Sequence, residues 1–361
     1  MTIADLAHYR LINQQVTEKK CTSVKELVGC LGAIQAQDYY MAKWAIGVRL
    51  KKSTDALIEQ AIDNAEIIRT HVLRPTWHFV AATDIRWMLE LTAPHVRTIL
   101  NSNGNRLGLT EKVYGKSHDI IIKELIGGKQ LTREELMAEL KKNKIATNDL
   151  RALHIMMRAE LDGIVCNGSR RGKQFTYALM DERVPKAKRM DREEALTKLA
   201  TRYFTSHGPA TVYDFAWWSG LKMVDAKLAI ELIRKSFDSR IINDKTYWFN
   251  DLGIKKKKTE GVHFLPAFDE YIISYKDRTT VMEPEMLKSA ILKNAIFKPI
   301  LVINGKVEGI WTRSIKKDRV EVDLNFFKFA NKVNKQVLED AIESYGHFMG
   351  SEIQLKIGKV I

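Results

Sequence analysis

The chain has 361 residues, of which 58 are Lys or Arg and 44 are Asp or Glu, which gives a formal charge of +14. This length is too great for one small core, so we expect roughly two to four packed units. The excess of basic residues needs a partner or another explanation. The longest uncharged apolar run, residues 27–37, is shorter than the ~18 residues that a membrane-spanning helix requires, which excludes a transmembrane protein.

The sequence also argues against export and against a bound metal. Asp5 and Arg10 fall inside what would be the apolar part of a signal peptide. The cysteines form no paired framework, and His71 and His78 flank a predicted strand turn without a third partner for a metal. No glycine-rich phosphate loop and no G-x-S-x-G elbow occur. We therefore expect a cytoplasmic, reduced protein that uses no metal and no cofactor.

Helical periodicity followed by two short β-rich runs occurs three times along the chain. The first occurrence has helical patterns near residues 3–15, 24–34 and 54–63, and then EIIRTHVL and TWHFVAA. The second has LTREELMAELKK and DLRALHIMMRAELD, and then GIVCNG and FTYALM around the turn SRRGK. The third has REEALTKLATRYFTSHG, TVYDFAWWSGL and DAKLAIELIRKSF, and then SRIIN and TYWFN. Helices followed by a hairpin are typical of a winged helix-turn-helix unit.

Signals for the starts and ends of helices support these units. Thr132 followed by Glu135 fits a capping box, and Thr211 followed by Asp214 is a weaker example. Gly220 falls where a turn between two helices belongs.

After residue 258 the pattern changes to short strands, with one helix near 333–349 and a last strand near 352–357. This pattern predicts a small β-barrel or a curled sheet. The predicted fold class is α+β, mainly α, with three tandem winged helix-turn-helix units followed by a C-terminal β-barrel-like domain. The predicted bounds of the four units are 1–100, 101–190, 191–259 and 260–361.

Three basic clusters are candidate phosphate contacts. The run Lys255–Lys258 fits either a nucleic-acid patch or a solvated linker. The turn SRRGK places Arg170, Arg171 and Lys173 at the tip of a predicted wing, where a basic loop can reach phosphates, although exposed turns are often basic for solubility alone. A similar tip in the C-terminal unit, which also fits a solvated hairpin, contains Arg313, Lys316, Lys317 and Arg319.

The segment LGAIQAQDYYMAKWAIG contains the most unusual polar residues of the chain. Gln35 and Gln37 lie two residues apart, so on a continuous helix they would point about 200° from one another and could not share a cleft. Both can serve one site only if the helix ends or distorts there. Otherwise one glutamine caps a helix and the other is solvated. Asp38 and the aromatic residues after it suit the lining of a pocket, but aromatic residues at this spacing are also typical of a core.

Segments spread over nearly the whole chain carry a resemblance to a known family. In order they are QAQD at 35–38, RTHVLRPTWHFV at 69–80, LTREEL at 131–136, DGIVCNGSRRGKQFTYALMDERVP at 162–185, RYFTSHGPATVYDFAWWSGL at 202–221, LPAFDEYIISYKDR at 265–278 and FKPILVINGKVEGIWTR at 297–313. By their order and coverage the chain resembles the AlkZ-like winged-helix DNA glycosylases.

This resemblance implies three tandem winged helices and a C-terminal β-barrel arranged around DNA. The family's catalytic signature is glutamine, an aliphatic residue and glutamine, which falls here on Gln35, Ala36 and Gln37. A sister group has aspartate at the second glutamine position, so this chain is similar to the AlkZ side. Proteins of that side remove N7-alkylated purines, and some unhook interstrand crosslinks. The implied partner is double-stranded DNA that carries a lesion.

Two amides suit such a substrate chemically. Alkylation at N7 makes the purine cationic, so the leaving base needs no protonation. Two side-chain carbonyl oxygens can orient a water towards C1′ and face the developing oxocarbenium charge. Because glutamine is a very poor base, we expect selectivity for cationic lesions over neutral bases. Asp38 either assists as a neighbouring negative charge or caps a helix, and both a flipped and an unflipped target base fit the sequence.

The predicted function is therefore DNA repair by a glycosylase, and the alternative is a non-catalytic winged-helix DNA-binding protein or regulator. The predicted DNA contacts are Arg69, Arg74, Arg170, Arg171, Lys173, Arg313, Lys316, Lys317 and Arg319. Residues 101–190 hold 18 basic and 11 acidic residues, and residues 191–259 hold 13 and 9. We expect these two units to provide most of the grip on phosphate, in a monomer associated with the nucleoid.

Overall fold

The computed structural model describes residues 1–250, 261–328, 333–358 and 360–361. In these residues the fold is mixed α+β and richer in helix than in strand, as the sequence predicts. The lysine run at 255–258 lies outside the described residues. Within the described ranges, no helix is both long enough and apolar enough to cross a membrane.

Residues 1–81 form a group of helices and a three-stranded sheet. The elements are α1 (Ile3–Asn13), α2 (Val24–Leu31), β1 (Ile34–Gln35), α3 (Tyr39–Gly47), α4 (Asp55–Asp63), β2 (Ile67–His71) and β3 (Trp77–Ala81). Each helix follows a Ser, Thr or Asp whose side chain accepts a hydrogen bond from a backbone amide of the first turn. Strands β1 and β2 both pair antiparallel with β3, so β3 lies in the centre of the sheet.

The second group of elements begins with a long helix. The elements are α5 (Ile85–Arg106), α6 (Glu111–Leu125), β4 (Leu131–Thr132), α7 (Arg133–Lys142), α8 (Arg151–Leu161), β5 (Val165–Asn167), β6 (Thr176–Leu179) and α9 (Met180–Arg183). The predicted capping box of Thr132 and Glu135 is present at the start of α7. Strands β4 and β5 both pair antiparallel with β6. Helix α5 runs through residue 100, and the predicted unit bounds stay a prediction.

The third group packs against the first one. Its elements are α10 (Arg192–Ser206), α11 (Val212–Ser219), α12 (Met223–Ile233), β7 (Asp238–Ile242) and β8 (Lys245–Phe249). The predicted capping box of Thr211 and Asp214 is present, and Gly220 ends α11 in the left-handed region with φ of 68°. A Cβ at Gly220 would clash with the carbonyl oxygen of Leu73 in the β2–β3 turn. The turn between α11 and α12 therefore lies directly against the β2–β3 hairpin.

The C-terminal part is a curled sheet with a helix packed against both of its edges. Its elements are β9 (Val262–Leu265), α13 (Glu270–Ile273), α14 (Leu287–Ala290), β10 (Ile291–Leu292), β11 (Ile296–Phe297), β12 (Ile300–Ile303), β13 (Lys306–Ile315), β14 (Arg319–Phe326), α15 (Lys335–Met349) and β15 (Glu352–Ile357). The strand order is β15–β14–β13–β12–β9. Helix α15 contacts the edge strands β9 and β15, but within the described residues no pairing joins these two strands. The predicted barrel is thus a half-barrel.

Shared hydrophobic cores hold the first group of elements from two sides. One core joins it to the C-terminal sheet, where the Tyr345 ring lies 5.0 Å from the Trp44 ring and 5.4 Å from the Trp311 ring. Another joins strands β2 and β3 to helices α10 to α12 and contains Val80 and Trp218. The segment that carries Gln35 and Gln37 consequently lies near the junction of three parts of the chain.

Candidate active site

Gln35 ends strand β1, and Gln37 lies in the bend between this strand and helix α3. Helix α2 ends before Gly32, whose φ of +83° is one that other residues rarely adopt, and β1 follows. The amide of Ala36 donates to the carbonyl of Trp77 at 2.7 Å, which extends the pairing of β1 with β3. Both glutamine side chains contact the β2–β3 hairpin, so the separation expected on a continuous helix does not arise. Helix α2 ends before Gln35, which is the condition under which the sequence allows both glutamines to serve one site.

Both ends of Gln35 are fixed by hydrogen bonds. Its side chain is in a residue that is only 7% exposed, and its Oε1 accepts a hydrogen bond from Nη2 of Arg74 at 2.9 Å. Its backbone amide donates to Oε1 of Glu270 at 2.8 Å. Arg74, a predicted DNA contact, is thus turned towards the first glutamine by the β2–β3 turn. Burial lowers the pKa of its guanidinium, but the group stays charged at physiological pH.

Gln37 is exposed, and it contacts the same hairpin. Its Oε1 lies 3.5 Å from the backbone amide of Trp77, which is a long and weak contact. The two amides therefore approach one short stretch of chain, at Arg74 and at Trp77. Gln35 provides a buried and oriented amide, whereas Gln37 provides one that water reaches freely.

Arg69 supports the backbone between the two glutamines. Its Nε and Nη2 donate to the carbonyl of Ala36 at 3.1 and 3.0 Å. Its guanidinium carbon lies 4.2 Å from the ring centre of Trp77 and 4.9 Å from that of Phe175. Burial lowers the pKa of Arg69 to about 10. This predicted DNA contact lies mostly inside the protein, where its charge holds the glutamine segment against the β2–β3 hairpin.

Asp38 begins the next helix. Its carboxylate accepts a hydrogen bond from the amide of Met41 at 3.1 Å and so caps α3. This is the capping alternative that the sequence leaves open. The cap fixes the start of α3 directly after Gln37.

A buried carboxylate behind Gln35 joins three parts of the chain. Glu270 is 1% exposed and accepts hydrogen bonds from the Gln35 amide, from the indole of Trp218 at 3.2 Å and from the hydroxyl of Ser274. Nε2 of His207 lies 3.7 Å from its Oε2. Burial alone would raise the pKa of Glu270, but these donors and the nearby imidazole lower it to about 2. The carboxylate is ionised at neutral pH.

Sequence analysis missed Glu270, although a signal was present. Asp269 and Glu270 stand directly before the apolar residues of α13 in the segment LPAFDEYIISYKDR. Both acids are buried, and Asp269 makes two contacts of 2.8 Å with Arg49. Adjacent acids before a buried apolar run, with arginines elsewhere to pair with them, indicate internal ion pairs.

The two histidines of the β2–β3 hairpin are buried. His78 stands opposite Gln35 in the strand pairing, and burial together with the charge of Arg74 lowers its pKa to about 3. Nδ1 of His71 lies 2.8 Å from the carboxylate of Glu160. Among the described residues, no cluster of three or more His, Cys, Asp or Glu side chains could hold a metal ion.

The β5–β6 tip lies beside the glutamine segment. Nη2 of Arg170 is 3.2 Å from the hydroxyl of Tyr40, the second residue of α3. Arg171 is exposed and pairs with Glu135 at 2.7 Å. Lys173 is exposed and makes no ion pair with any residue that the structure describes. Three predicted DNA contacts thus lie close to the candidate site, and two of them already have internal partners.

The C-terminal tip between β13 and β14 is different. Three of its cations have partners inside the C-terminal unit. Arg313 contacts the hydroxyl of Tyr345, and Lys316 and Arg319 both pair with Glu321. Lys317 is exposed, and no described residue forms an ion pair with it. The structure does not bring this tip into contact with the glutamine segment within the described residues.

The sequence profile of a family described as DNA glycosylase AlkZ-like matches residues 28–348. This range contains both glutamines, the β2–β3 hairpin and most of the C-terminal sheet. The chain belongs to the AlkZ-like family of DNA glycosylases. It is therefore a hydrolase that acts on N-glycosyl bonds, and its partner is DNA.

Named relatives of this AlkZ-like glycosylase agree in sequence and in fold. The interstrand DNA cross-link repair glycosylase of Streptomyces sahachiroi is 22% identical over 322 residues, which are 84% of this chain and 85% of the relative. The solved structure of the Streptomyces sahachiroi DNA glycosylase AlkZ has a TM-score of 0.84 to this chain at 18% identity, and the match covers 99% of this chain and 100% of that chain. At this identity the likeness shows a shared fold.

Proposed function

We propose that this AlkZ-like glycosylase hydrolyses the N-glycosidic bond of cationic N7-alkylated purines, using a water positioned by Gln35 and Gln37. The observation that carries this proposal is the placement of the two amides. Both reach from the short segment between α2 and α3 to one hairpin, at Arg74 and Trp77. Gln35 is buried and anchored, whereas Gln37 faces solvent.

The hydrogen-bond capacity of the two amides fits this role. A carbonyl oxygen has two lone pairs, so Oε1 of Gln35 can accept from Arg74 and still accept one hydrogen of a water. Oε1 of Gln37 makes only a long contact with Trp77 and can accept the second hydrogen. A water held by both hydrogens presents its oxygen lone pairs to C1′, and the amide dipoles face the positive charge that develops on the sugar.

The ionisable groups around the site favour a substrate that needs no acid. Glu270 has a pKa of about 2, so it carries no proton at neutral pH, and it lies buried behind Gln35. His78 has a pKa of about 3 and is neutral. Neither group can protonate a leaving base, and a glutamine cannot do so either. An N7-alkylated purine leaves as a neutral molecule, whereas adenine or uracil would have to leave as an anion.

Bulky adducts and interstrand crosslinks fit within the same proposal. The relative from Streptomyces sahachiroi is named for the repair of such crosslinks. Gln37 is exposed at the protein surface, so a sugar that approaches it need not enter a deep and narrow pocket. We therefore include N7-linked crosslinks in the substrate range of this chain.

We further infer that the chain holds DNA with three tandem winged helices. The proposed wings are the hairpins β2–β3, β5–β6 and β7–β8, each of which follows a group of helices. The basic excess of the second and third groups supports a grip on phosphates that is separate from the chemistry in the first group. Such an enzyme acts as a monomer on damaged duplex DNA, and a cytoplasmic, nucleoid-associated location stays a prediction.

The experiment that tests this proposal compares lesions of different charge. The protein is incubated with duplexes that contain a single N7-methylguanine, a single uracil or no lesion, and free base and abasic sites are measured. We expect release of N7-methylguanine alone. Release of uracil at a comparable rate would contradict the cationic selectivity, and binding without any release would contradict hydrolysis by this site.

A further inference from the structure

A cavity of about 370 Å³ lies between the β2–β3 and β5–β6 hairpins, next to the candidate active site. Its aromatic lining consists of Trp77, Phe175 and Tyr177. Trp77 links the cavity to the candidate active site, because its backbone amide is the group that Gln37 approaches. The proposed water-positioning role of the two glutamines makes no use of this space.

One wall of the cavity is a stacked layer. The guanidinium of Arg69 contacts the rings of both Trp77 and Phe175, and its hydrogen bonds to Ala36 fix its position. Flat aromatic and guanidinium surfaces are the surfaces on which nucleobases stack when they leave a duplex. Arg69 thus ties this wall to the backbone of the glutamine segment.

A buried acceptor in the same lining lacks a donor. Asn167 is 4% exposed, and its Nδ2 donates to the carbonyl of Thr176 at 3.1 Å. Its Oδ1 is buried and has no hydrogen-bond partner among the described residues. Asn167 lines the cavity, and leaving its oxygen unpaired is costly, which points to a ligand that offers an N–H group.

The charges around the cavity decide which ligand fits. Arg69, Arg133 and Lys173 line it, and Glu134 is the one carboxylate in the described lining. This excess of positive charge repels a cationic alkylated purine and attracts a phosphate. A neutral base attached to a phosphate matches all three features, which are the stacking wall, the unpaired acceptor and the positive rim.

We propose that the cavity binds an unmodified nucleotide that neighbours the lesion and is displaced from the duplex. Its base stacks against Trp77 and Phe175, an exocyclic amino group donates to Oδ1 of Asn167, and its phosphate lies near Lys173. This inference rests on the proposed function, because it assumes that the glutamine segment faces the lesion. The cationic base itself stays outside the cavity.

The test uses DNA that the enzyme cannot cleave. Duplexes carry a tetrahydrofuran abasic analogue at the lesion position, and the base opposite it or on either side is kept or replaced by a second abasic analogue. For the wild type we expect removal of the base at one of these positions to weaken binding about tenfold. In Phe175→Leu and Asn167→Leu the same removal changes the Kd by less than about twofold.

Two further comparisons separate this effect from general damage to the protein. Tyr40→Leu alters an exposed aromatic residue of the same surface outside the cavity lining, and it keeps the roughly tenfold dependence on the base. Cytosine at the sensitive position binds about threefold tighter than thymine, which lacks the amino group, and Asn167→Leu removes this preference.

The proposal is overturned if removing the base at every tested position leaves the Kd of the wild type unchanged. It is also overturned if Phe175→Leu and Asn167→Leu lose as much affinity on base removal as the wild type does. The release of N7-methylguanine is measured separately. A protein that releases this base without any base dependence in binding refutes the cavity alone. A protein with the dependence but without release refutes only the hydrolytic proposal.

Discussion

The cations around the glutamine segment and those at the hairpin tips are predicted alike to contact DNA, but they have different partners. Arg69 and Arg74 are turned inward, where they bind the carbonyl of Ala36 and the amide of Gln35. At the β5–β6 tip, Arg171 and Lys173 are exposed, whereas Arg170 is half-buried beside α3. The comparison teaches that a basic residue in a DNA-binding protein can hold the protein's own backbone and side chains in place instead of binding phosphate.

The two regions therefore have separable consequences. Changes at Arg69 and Arg74 are expected to alter the rate of base release with little effect on the Kd for DNA, because these two cations hold the segment proposed to be catalytic. Changes at the β5–β6 tip are expected to alter the Kd and its salt dependence with little effect on the rate at saturation.

The largest expected effect is on stability, at Glu270, the buried carboxylate behind Gln35. Glu270 has a folded pKa of about 2 against an ordinary value of 4.5, so its contribution is complete above pH 4.5 and is lost as the pH falls towards 2. We expect Glu270→Gln to lower the free energy of unfolding by about 3 kcal/mol at pH 7. Urea unfolding measures this loss, and the difference from wild type shrinks when it is repeated at pH 3. An equal difference at both pH values would show that the charge is not the cause.

The next effect is on rate, at the cation that orients Gln35. Arg74→Met leaves the Gln35 amide free to rotate, and we expect base release from N7-methylguanine DNA to fall about 100-fold under single-turnover conditions. The Kd for the same duplex changes by less than about threefold. Arg74→Lys restores part of the rate, since an ammonium can still donate to Oε1. A loss of affinity as large as the loss of rate would make Arg74 a DNA contact, as the sequence predicts.

A smaller effect is expected at the β5–β6 tip. Replacing Arg170, Arg171 and Lys173 by alanine weakens the binding of damaged and undamaged duplex alike, by about tenfold at moderate salt, and flattens the plot of log Kd against log salt by about two. Titrations at several salt concentrations measure both quantities. An unchanged slope would assign this tip to solvent.

The smallest effect is expected at the C-terminal tip, where a variant removes as many cations as the β5–β6 variant does. Replacing Lys316, Lys317 and Arg319 by alanine also removes three cations, but two of these already pair with Glu321. We expect the Kd for duplex DNA to change by less than about twofold and the salt slope to stay within about 0.5 of wild type. If this variant lost as much affinity as the β5–β6 variant, net charge alone would explain the binding.

Much of the fold is accessible from sequence because local patterns determine it. The capping boxes at Thr132 and Thr211 are where the sequence places them, and the three hairpins follow their helices as predicted. Helices α3, α5 and α6 were not predicted. Helix α3 is buried on nearly every side, so its residues show no polar face and no clear helical period. Helix α5 contains Pro94, which the sequence pattern would place outside a helix.

The site was harder to predict than the fold. Spacing alone argues against a shared role for Gln35 and Gln37, because it presumes a continuous helix. In the structure the helix ends before Gln35, and both side chains contact the β2–β3 hairpin. The partners of Gln35 lie 39 and 235 residues away in the chain, at Arg74 and Glu270. No local pattern encodes such distant contacts, and burial of an arginine or a glutamate runs against the usual expectation for charged residues.

The most direct test of the central claim is the single-turnover rate of base release from N7-methylguanine duplex by wild type and by Gln35→Ala combined with Gln37→Ala. A matched control replaces Gln336 and Gln354, two exposed glutamines of the C-terminal unit, by alanine. We expect the active-site variant to lose at least about 100-fold in rate while it still binds the duplex, and the control to release base at the wild-type rate. Release by the active-site variant at the wild-type rate would contradict the claim that these two amides position the attacking water.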